Sequence, residues 1–130
     1  MTAQELRIGN WVRFSEDGEP ALVCEIDPDG VRVRFNDLTI IWVEINEFES
    51  IDITPEILEK ADFELSQDGF YYFGDDATFR IHDNMMLIDM AYTDPKDDSV
   101  FYMNTGDVQY LHQLQNLIFA LTGEELQIEL

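Results

Sequence analysis

Two pairs of adjacent aspartates are the residues of this sequence that come closest to a recognisable chemistry. Asp75 and Asp76 form one pair, and Asp97 and Asp98 follow Lys96 in a polar loop. Carboxylate oxygens suit calcium, but the second loop has Lys96 where an EF-hand loop has an acid, and it lacks the central glycine. The pattern therefore predicts solvated acidic loops, and we expect neither a bound metal nor a cofactor. We call these four residues the loop aspartates.

The other reactive side chains are too scattered along the sequence to predict an enzyme. His82 and His112 each lack a second ligand three or four residues away, and His112 is expected on the polar flank of the last helix. No serine lies in a nucleophile-elbow pattern, and the glycines are isolated turn residues rather than a phosphate-binding loop. Cys24 lies in an apolar run, which predicts a buried strand thiol. We predict no catalytic residue and no enzymatic activity.

Charge is the most unusual property of the chain. It has 28 acidic and 7 basic residues, which give a formal net charge of −21. A small domain usually carries a net charge of about 2–8. Such a surface repels nucleic acid and anionic lipid and attracts basic protein surfaces. We expect a basic protein surface as the partner, without direct nucleic-acid binding and without a membrane. The alternative is that the charge serves only solubility or reflects a salty habitat.

The excess of acids is greatest in the C-terminal part of the chain. From residue 51 onward there are 17 acids and 3 bases, against 11 and 4 before it. The loop aspartates lie in this part, in loops that can present carboxylates without disturbing a core. They are therefore the predicted partner-binding residues. The basic doublet, Arg32 and Arg34, is expected to pair with surrounding carboxylates.

Short strands and tight turns dominate the N-terminal part. Val31 and Val33 alternate with Arg32 and Arg34, which is the period of a half-buried strand. The preceding Asp27-Pro28-Asp29-Gly30 is a strong turn signal. Several such strands in about fifty residues predict a small, highly curved sheet or barrel.

Two helices are predicted in the rest of the chain. Thr54 is a suitable N-cap and Pro55 fits the first helical position, so a short helix is expected there. Apolar residues from Val108 to Leu121 recur at helical spacing, with Asp107 as the expected N-cap and Gly123 as the residue that ends the helix.

Together these elements predict an α+β fold with a mostly antiparallel sheet. It consists of an N-terminal small curved sheet or barrel-like unit, a short middle helix and a C-terminal amphipathic helix. We expect a single domain over residues 1–130. Possible sub-units are a strand-rich part, 1–50, and a helix–meander–helix part, 51–130, with a seam from Glu49 to Thr54.

Three segments carry a family resemblance: Glu5–Val12 (ELRIGNWV), Thr54–Ala61 (TPEILEKA) and Tyr110–Leu126 (YLHQLQNLIFALTGEEL). They resemble the opening, the middle helix and the closing helix of a family of small uncharacterised proteins from Bacteroidetes and their phages. Asp62 stands where a glycine is expected after Ala61. The resemblance implies a phage or mobile-element setting and transfers no activity.

Charge and resemblance together predict a non-enzymatic, acidic protein-binding protein of phage or mobile-element type. One form is an inhibitor of a host defence nuclease such as a CRISPR effector, in which carboxylates stand in for phosphates. The alternative is a general protein-interaction or structural module, because the N-terminal strands resemble a Tudor- or KOW-like small barrel in outline. We expect a cytoplasmic protein, since the sequence shows one cysteine, no signal-peptide pattern and no long apolar stretch.

Overall fold

The structure is a computed structural model that describes residues 5–14, 18–44, 47–74, 78–82 and 87–130. Within these residues the chain forms two antiparallel sheets of five strands each and two helices, which confirms the predicted α+β class. The chain divides into two compact units. The first is Met1–Asp52 with Tyr110–Leu126, and the second is Ile53–Gln109 with Gln127–Leu130. The C-terminal helix is thus grouped with the N-terminal strands.

The first unit is built on an open sheet. Its strands are β1 (Trp11–Phe14), β2 (Pro20–Ile26), β3 (Gly30–Arg34), β4 (Ile40–Glu44) and β5 (Phe48–Glu49). They are ordered β4-β3-β2-β1-β5, and each neighbouring pair is antiparallel. Because β4 and β5 are the two edges, the described strands do not close into a barrel.

The turn between β2 and β3 forms where the sequence predicts it. The Asp27 carboxylate accepts hydrogen bonds from the backbone N–H groups of Asp29 and Gly30, both at 3.0 Å. Glycine is required at position 30, because a Cβ there would lie 2.4 Å from the carbonyl oxygen of Val43. Asp27 therefore stabilises the turn from β2 to β3, and the lack of a Cβ at Gly30 allows β3 to approach β4.

One face of this sheet forms the core of the first unit. As the alternation in β3 predicts, Val31 and Val33 are buried while Arg32 and Arg34 are exposed. The buried cluster is apolar throughout and consists of Leu6, Val12, Ala21, Val23, Val31, Val33, Val43 and Phe48. Each fully buried aliphatic side chain of this kind contributes about 1.5–3 kcal/mol.

The second helix, α2 (Leu111–Thr122), belongs to the first unit, and its apolar stripe is buried as predicted as far as Ile118, whereas Leu121 is 39% exposed. Leu114 and Ile118 are almost inaccessible to solvent. Gly123 ends the helix in the left-handed conformation, with φ 75°. The predicted N-cap was wrong: Asp107 lies in a strand, and the helix begins after Tyr110, whose N–H donates to the Gln113 side chain at 3.1 Å.

A buried amide fastens α2 to the start of β1. The Gln115 side chain is 2% exposed, and its Oε1 accepts a hydrogen bond from the N–H of Trp11 at 3.0 Å. Its Nε2 donates to the carbonyl oxygen of Gly9 at 2.9 Å. Gln115 therefore satisfies one donor and one acceptor of the backbone that leads into the sheet.

The second unit combines a short helix with a meander. Its elements are α1 (Pro55–Lys60), β6 (Glu64–Leu65), β7 (Tyr71–Phe73), β8 (Phe79–Ile81), β9 (Leu87–Thr93) and β10 (Val100–Asp107). The sheet is ordered β10-β9-β8-β7-β6, so consecutive strands are neighbours, and β10 is an edge. The order follows from the short connections between consecutive strands, which suit antiparallel neighbours.

The caps of α1 explain its length. Thr54 accepts a hydrogen bond from the N–H of Ile57 at 3.3 Å, and Pro55 is the first helical residue, as predicted. Asp62 takes φ 66°, the left-handed conformation that favours glycine, and Phe63 N–H then donates back to Leu58 O at 2.9 Å. Asp62 thus adopts a backbone conformation that glycine takes more readily.

Candidate functional site

The most concentrated group of polar side chains in the second unit lies on one face of its sheet. Tyr72, Arg80 and Asp89 are direct cross-strand neighbours on β7, β8 and β9. Side chains of directly paired residues project from the same face, so the register alone brings the three together. Asp89 is 5% exposed and is the buried carboxylate of the described residues.

Two side-chain nitrogens converge on one oxygen of Asp89. Arg80 Nε lies 2.9 Å from Oδ2, and His82 Nε2 lies 2.7 Å from the same oxygen. Burial alone would raise the pKa of Asp89, but the hydrogen bonds from Arg80 and His82 outweigh it, and the pKa falls below its usual value. Asp89 is therefore an ionised carboxylate at neutral pH, with Arg80 and His82 both at its Oδ2.

Aromatic rings enclose the Arg80 guanidinium. Its central carbon lies 4.5 Å from the ring centre of Phe70 and 4.2 Å from that of Tyr102, both within cation–π range. Tyr72 donates its hydroxyl to Asp68 at 2.6 Å, and this hydrogen bond lowers the pKa of Asp68 and raises that of Tyr72. The network therefore links β7, β8, β9 and β10 through their side chains.

This arrangement is suited to stiffening the sheet. A carboxylate can orient a histidine for general-base catalysis, but the base must also reach a nucleophile or substrate proton. Among the described residues, His82 contacts the Asp89 carboxylate at 2.7 Å and the Phe70 ring at 4.9 Å, and neither is a hydroxyl or thiol that a histidine base could deprotonate. Removing one partner of such a group leaves a buried charge and costs about 3–5 kcal/mol.

The predicted partner-binding residues lie partly within the described chain. Asp97 and Asp98 are exposed in the turn between β9 and β10, whereas Asp75 and Asp76 lie outside the described residues. The Asp97 carboxylate accepts a hydrogen bond from the Ser99 N–H at 3.0 Å, which lowers its pKa. Asp98 takes φ 60°. The turn is thus ordered by its own aspartates, and their outer oxygens face solvent.

The carboxylates of the described residues are overwhelmingly on the surface. Asp89 is buried and Asp94 is half-buried, and every other aspartate and glutamate of the described chain is exposed. The ion pairs use few of them: Arg7 with Glu125, Arg13 with Glu49, Arg32 with Glu25, and Arg80 with Asp89. The expected pairing of the basic doublet is therefore found for Arg32, at 3.0 Å, and not for Arg34 within the described residues.

The prediction for His112 was wrong. It is 2% exposed rather than on a polar flank, its ring stacks on Tyr110 at 6.0 Å, and its Nδ1 is buried without a hydrogen-bond partner in the described chain. Burial lowers its pKa. Helical spacing places residue 112 beside Leu111 at the border of the apolar stripe. At such a position the sequence does not decide whether the side chain is buried or exposed to solvent.

A cleft of about 360 Å³ opens in the first unit beside Arg13, and Phe48, Ser50 and Tyr110 also line it. The Glu49 carboxylate lies 3.8 Å from the Arg13 Nε. Arginine with neighbouring hydroxyls suits a small anion, but Glu49 is a wall of the same cleft and opposes one.

Two edge strands expose apolar side chains that the sequence analysis did not single out. On β4 these are Ile40 and Trp42, and on β10 they are Phe101 and Met103. The run Ile40-Ile41-Trp42-Val43 gave a signal, because a strand without polar alternation is apolar on both faces.

Comparison of the chain with protein-family models, with curated proteins and with solved structures gives no match. Within the described ranges no group of three or more histidine, cysteine, aspartate or glutamate side chains is placed to hold a metal ion. Neither described helix has the length and apolar character needed to cross a membrane.

Proposed function

We propose that this chain is a non-enzymatic, acidic protein that binds a basic protein surface, as an inhibitor of a nucleic-acid-binding host defence nuclease. The observation that carries the proposal is the exposed position of nearly all described carboxylates on a chain of net charge −21. Rows of exposed carboxylates produce the negative field that a nuclease channel otherwise meets in phosphates. A cytoplasmic site and a phage or mobile-element origin fit this role.

The chain's own cations support the proposal because they are few and largely engaged. Arg80 is held by Asp89 and two aromatic rings, and Arg7 is paired with Glu125 and lies 4.2 Å from the Phe119 ring centre. These arginines cannot also neutralise the surface, so the carboxylates remain available to cations of a partner. Opposite charge speeds association and selects basic partners.

The loop aspartates make the sharpest test. Asparagine at 97 keeps the oxygen that accepts from Ser99, and asparagine tolerates the left-handed φ of residue 98. Changing all four loop aspartates to asparagine therefore removes charge with little change to the described turn. We expect slower association with, and weaker inhibition of, a purified RNA-guided nuclease bound to its guide.

A matched control removes the same charge elsewhere. Four exposed glutamates outside the two loops serve for this purpose: Glu44, Glu56, Glu59 and Glu64. Their replacement by glutamine should have a smaller effect if the loops meet the target. Association rates are measured from low to high salt, and they should fall as salt rises. Equal inhibition by the parent and the loop variant would contradict binding through the loop aspartates. No inhibition of DNA cleavage by the parent would contradict the inhibitor function itself.

A further inference from the structure

The two faces of the β9–β10 hairpin differ in their contacts. On one face, Tyr102 packs on Arg80, and its ring centre lies 6.1 Å from that of Tyr72. On the other face, Tyr92 and Phe101 are direct cross-strand partners, and Met103 follows two residues further along β10. These three side chains form what we call the hairpin patch.

The hairpin patch is unusually exposed for apolar side chains. Tyr92 and Phe101 are each 51% exposed and Met103 is 58% exposed. They lie on the same face of β9 and β10 as the core residue Ile88, so the sheet's apolar face continues beyond the part that is covered. Contiguous apolar surface beside polar residues is typical of a protein-binding site.

The free edge of β10 offers a second means of recognition. Within the described strands β10 pairs only with β9, and its pairing is regular from Val100 to Asn104 before a bulge. An extended segment can add to such an edge, where main-chain hydrogen bonds give affinity and alternate side chains give specificity. A partner strand here would place every second side chain on the hairpin patch.

Charge decides what kind of segment fits. The turn that joins β9 to β10 carries Asp94, Asp97 and Asp98 against Lys96 alone. A second copy of the chain would bring its own net charge of −21 to the same place and would be repelled. A segment that alternates basic with apolar residues instead meets carboxylates at the turn and apolar side chains along the strand.

At the other exposed edge, arginines offset the exposed carboxylates of Asp37 and Glu44. On β4, Ile40 is the direct cross-strand partner of Arg34, and Trp42 is that of Arg32. A basic segment at that edge would meet arginines of the chain itself. The two edges therefore serve as test and matched control.

The geometry points to the β9–β10 hairpin as a docking surface for an extended, basic-and-apolar segment of a partner protein, which adds as a strand to β10 and buries the hairpin patch. This inference rests on the proposed function only for the basic character of the partner. It goes beyond it by assigning the place, the backbone conformation and the side-chain pattern that are recognised.

The probe for this site is a short peptide that alternates lysine with valine and is blocked at both ends. Its control has the same composition, with all lysines before all valines, so that only the pattern differs. We expect the alternating peptide to bind the full chain at least about tenfold more tightly, because both peptides can pair with β10 through their main chains but only the alternating one places all its valines on the side of the hairpin patch. It should also slow hydrogen exchange of the β10 amides.

Two double variants locate the binding. Phe101→Ser with Met103→Ser should weaken binding of the alternating peptide at least about tenfold, as expected for central apolar contacts. Leu38→Ser with Ile40→Ser, at an exposed residue just before β4 and at the exposed first residue of β4, should leave it within about twofold. Circular dichroism checks that both variants fold, and hydrogen exchange on the parent chain tests the site without any substitution.

Several results would overturn the docking surface. These are equal affinity for the two peptides, binding that depends on β4 rather than β10, and exchange protection outside β10. The peptide assay involves no nuclease, so its failure leaves nuclease inhibition as a separate measurement. Conversely, peptide docking without inhibition of any tested nuclease would contradict the inhibitor function and retain the docking surface.

Discussion

Substitutions of Gln115 test how its two hydrogen bonds attach α2 to the residues at the start of β1. Gln115→Met keeps the size of the side chain and removes both of its hydrogen bonds, to Trp11 N–H and Gly9 O. Each buried polar group that loses its partner costs about 1–3 kcal/mol. Trp11 is buried and Gly9 is half-buried, so water can compensate only the second loss. We expect the free energy of unfolding to fall by about 2–4 kcal/mol.

A second substitution separates the two bonds. Gln115→Glu keeps an acceptor for Trp11 N–H, but a carboxylate cannot donate to Gly9 O and is a buried charge at neutral pH. Protonation at low pH restores an O–H donor. The deficit of Gln115→Glu relative to the parent should therefore shrink as pH falls, whereas that of Gln115→Met should not.

Urea unfolding from neutral to mildly acidic pH measures both effects. Gln67→Met makes the same chemical change at an exposed turn and should stay within about 0.5 kcal/mol of the parent. If Gln115→Met costs no more than this control, or if Gln115→Glu shows no recovery in acid, the amide does not hold α2 to β1 in the way described.

Three further measurements test the core, the buried histidine and the charge. Leu114→Ala should lower the free energy of unfolding by about 2–5 kcal/mol in urea titrations, while Leu121→Ala, at a half-exposed position, should cost distinctly less. Burial lowers the pKa of His112 in the folded chain below its usual 6.5. Below that pH the unfolded chain therefore binds a proton at His112 more readily than the folded chain does. Stability should then fall as pH drops below 6.5, by up to about 1.4 kcal/mol per pH unit, and His112→Phe should reduce this slope. Finally, the melting temperature should rise from 0.01 M to 0.15 M monovalent salt, as the screening length shortens from about 30 Å to about 8 Å; a flat response would indicate carboxylates already compensated by bound cations.

Local patterns in the sequence predicted those parts of the fold that local physics decides. The alternation of Val31 and Val33 with arginines, the N-cap Thr54 and the terminating Gly123 all lie where they were expected. Each depends on residues only a few positions apart. The start of α2 was misplaced because Asp107 is equally acceptable at the end of an edge strand, and only the pairing with β9 shows which role it takes.

The polar network around Asp89 and the hairpin patch could not be predicted from local sequence patterns. The partners of Asp89 are Arg80 on the neighbouring strand β8 and His82, the residue that follows β8, so its pairing depends on strand register. One acid among many carried no distinguishing signal in the sequence. Phe101 and Met103 alternate with Tyr102 as core residues do, and only the end of the sheet at β10 leaves them exposed.

The small number of cations connects the fold of each unit with the proposed function. In the first unit Arg7 donates to Asn116 at 3.0 Å and pairs with Glu125, which joins the N-terminal segment to α2 and the residues after it. In the second unit Arg80 of β8 is joined to β9 through Asp89, to β10 through Tyr102 and to the residue before β7 through Phe70. Both arginines are held inside their own units by several contacts, and a cation so held cannot turn to neutralise exposed carboxylates. The same residues that stabilise the units therefore leave the surface charge uncompensated, and that charge favours a partner that supplies the missing cations.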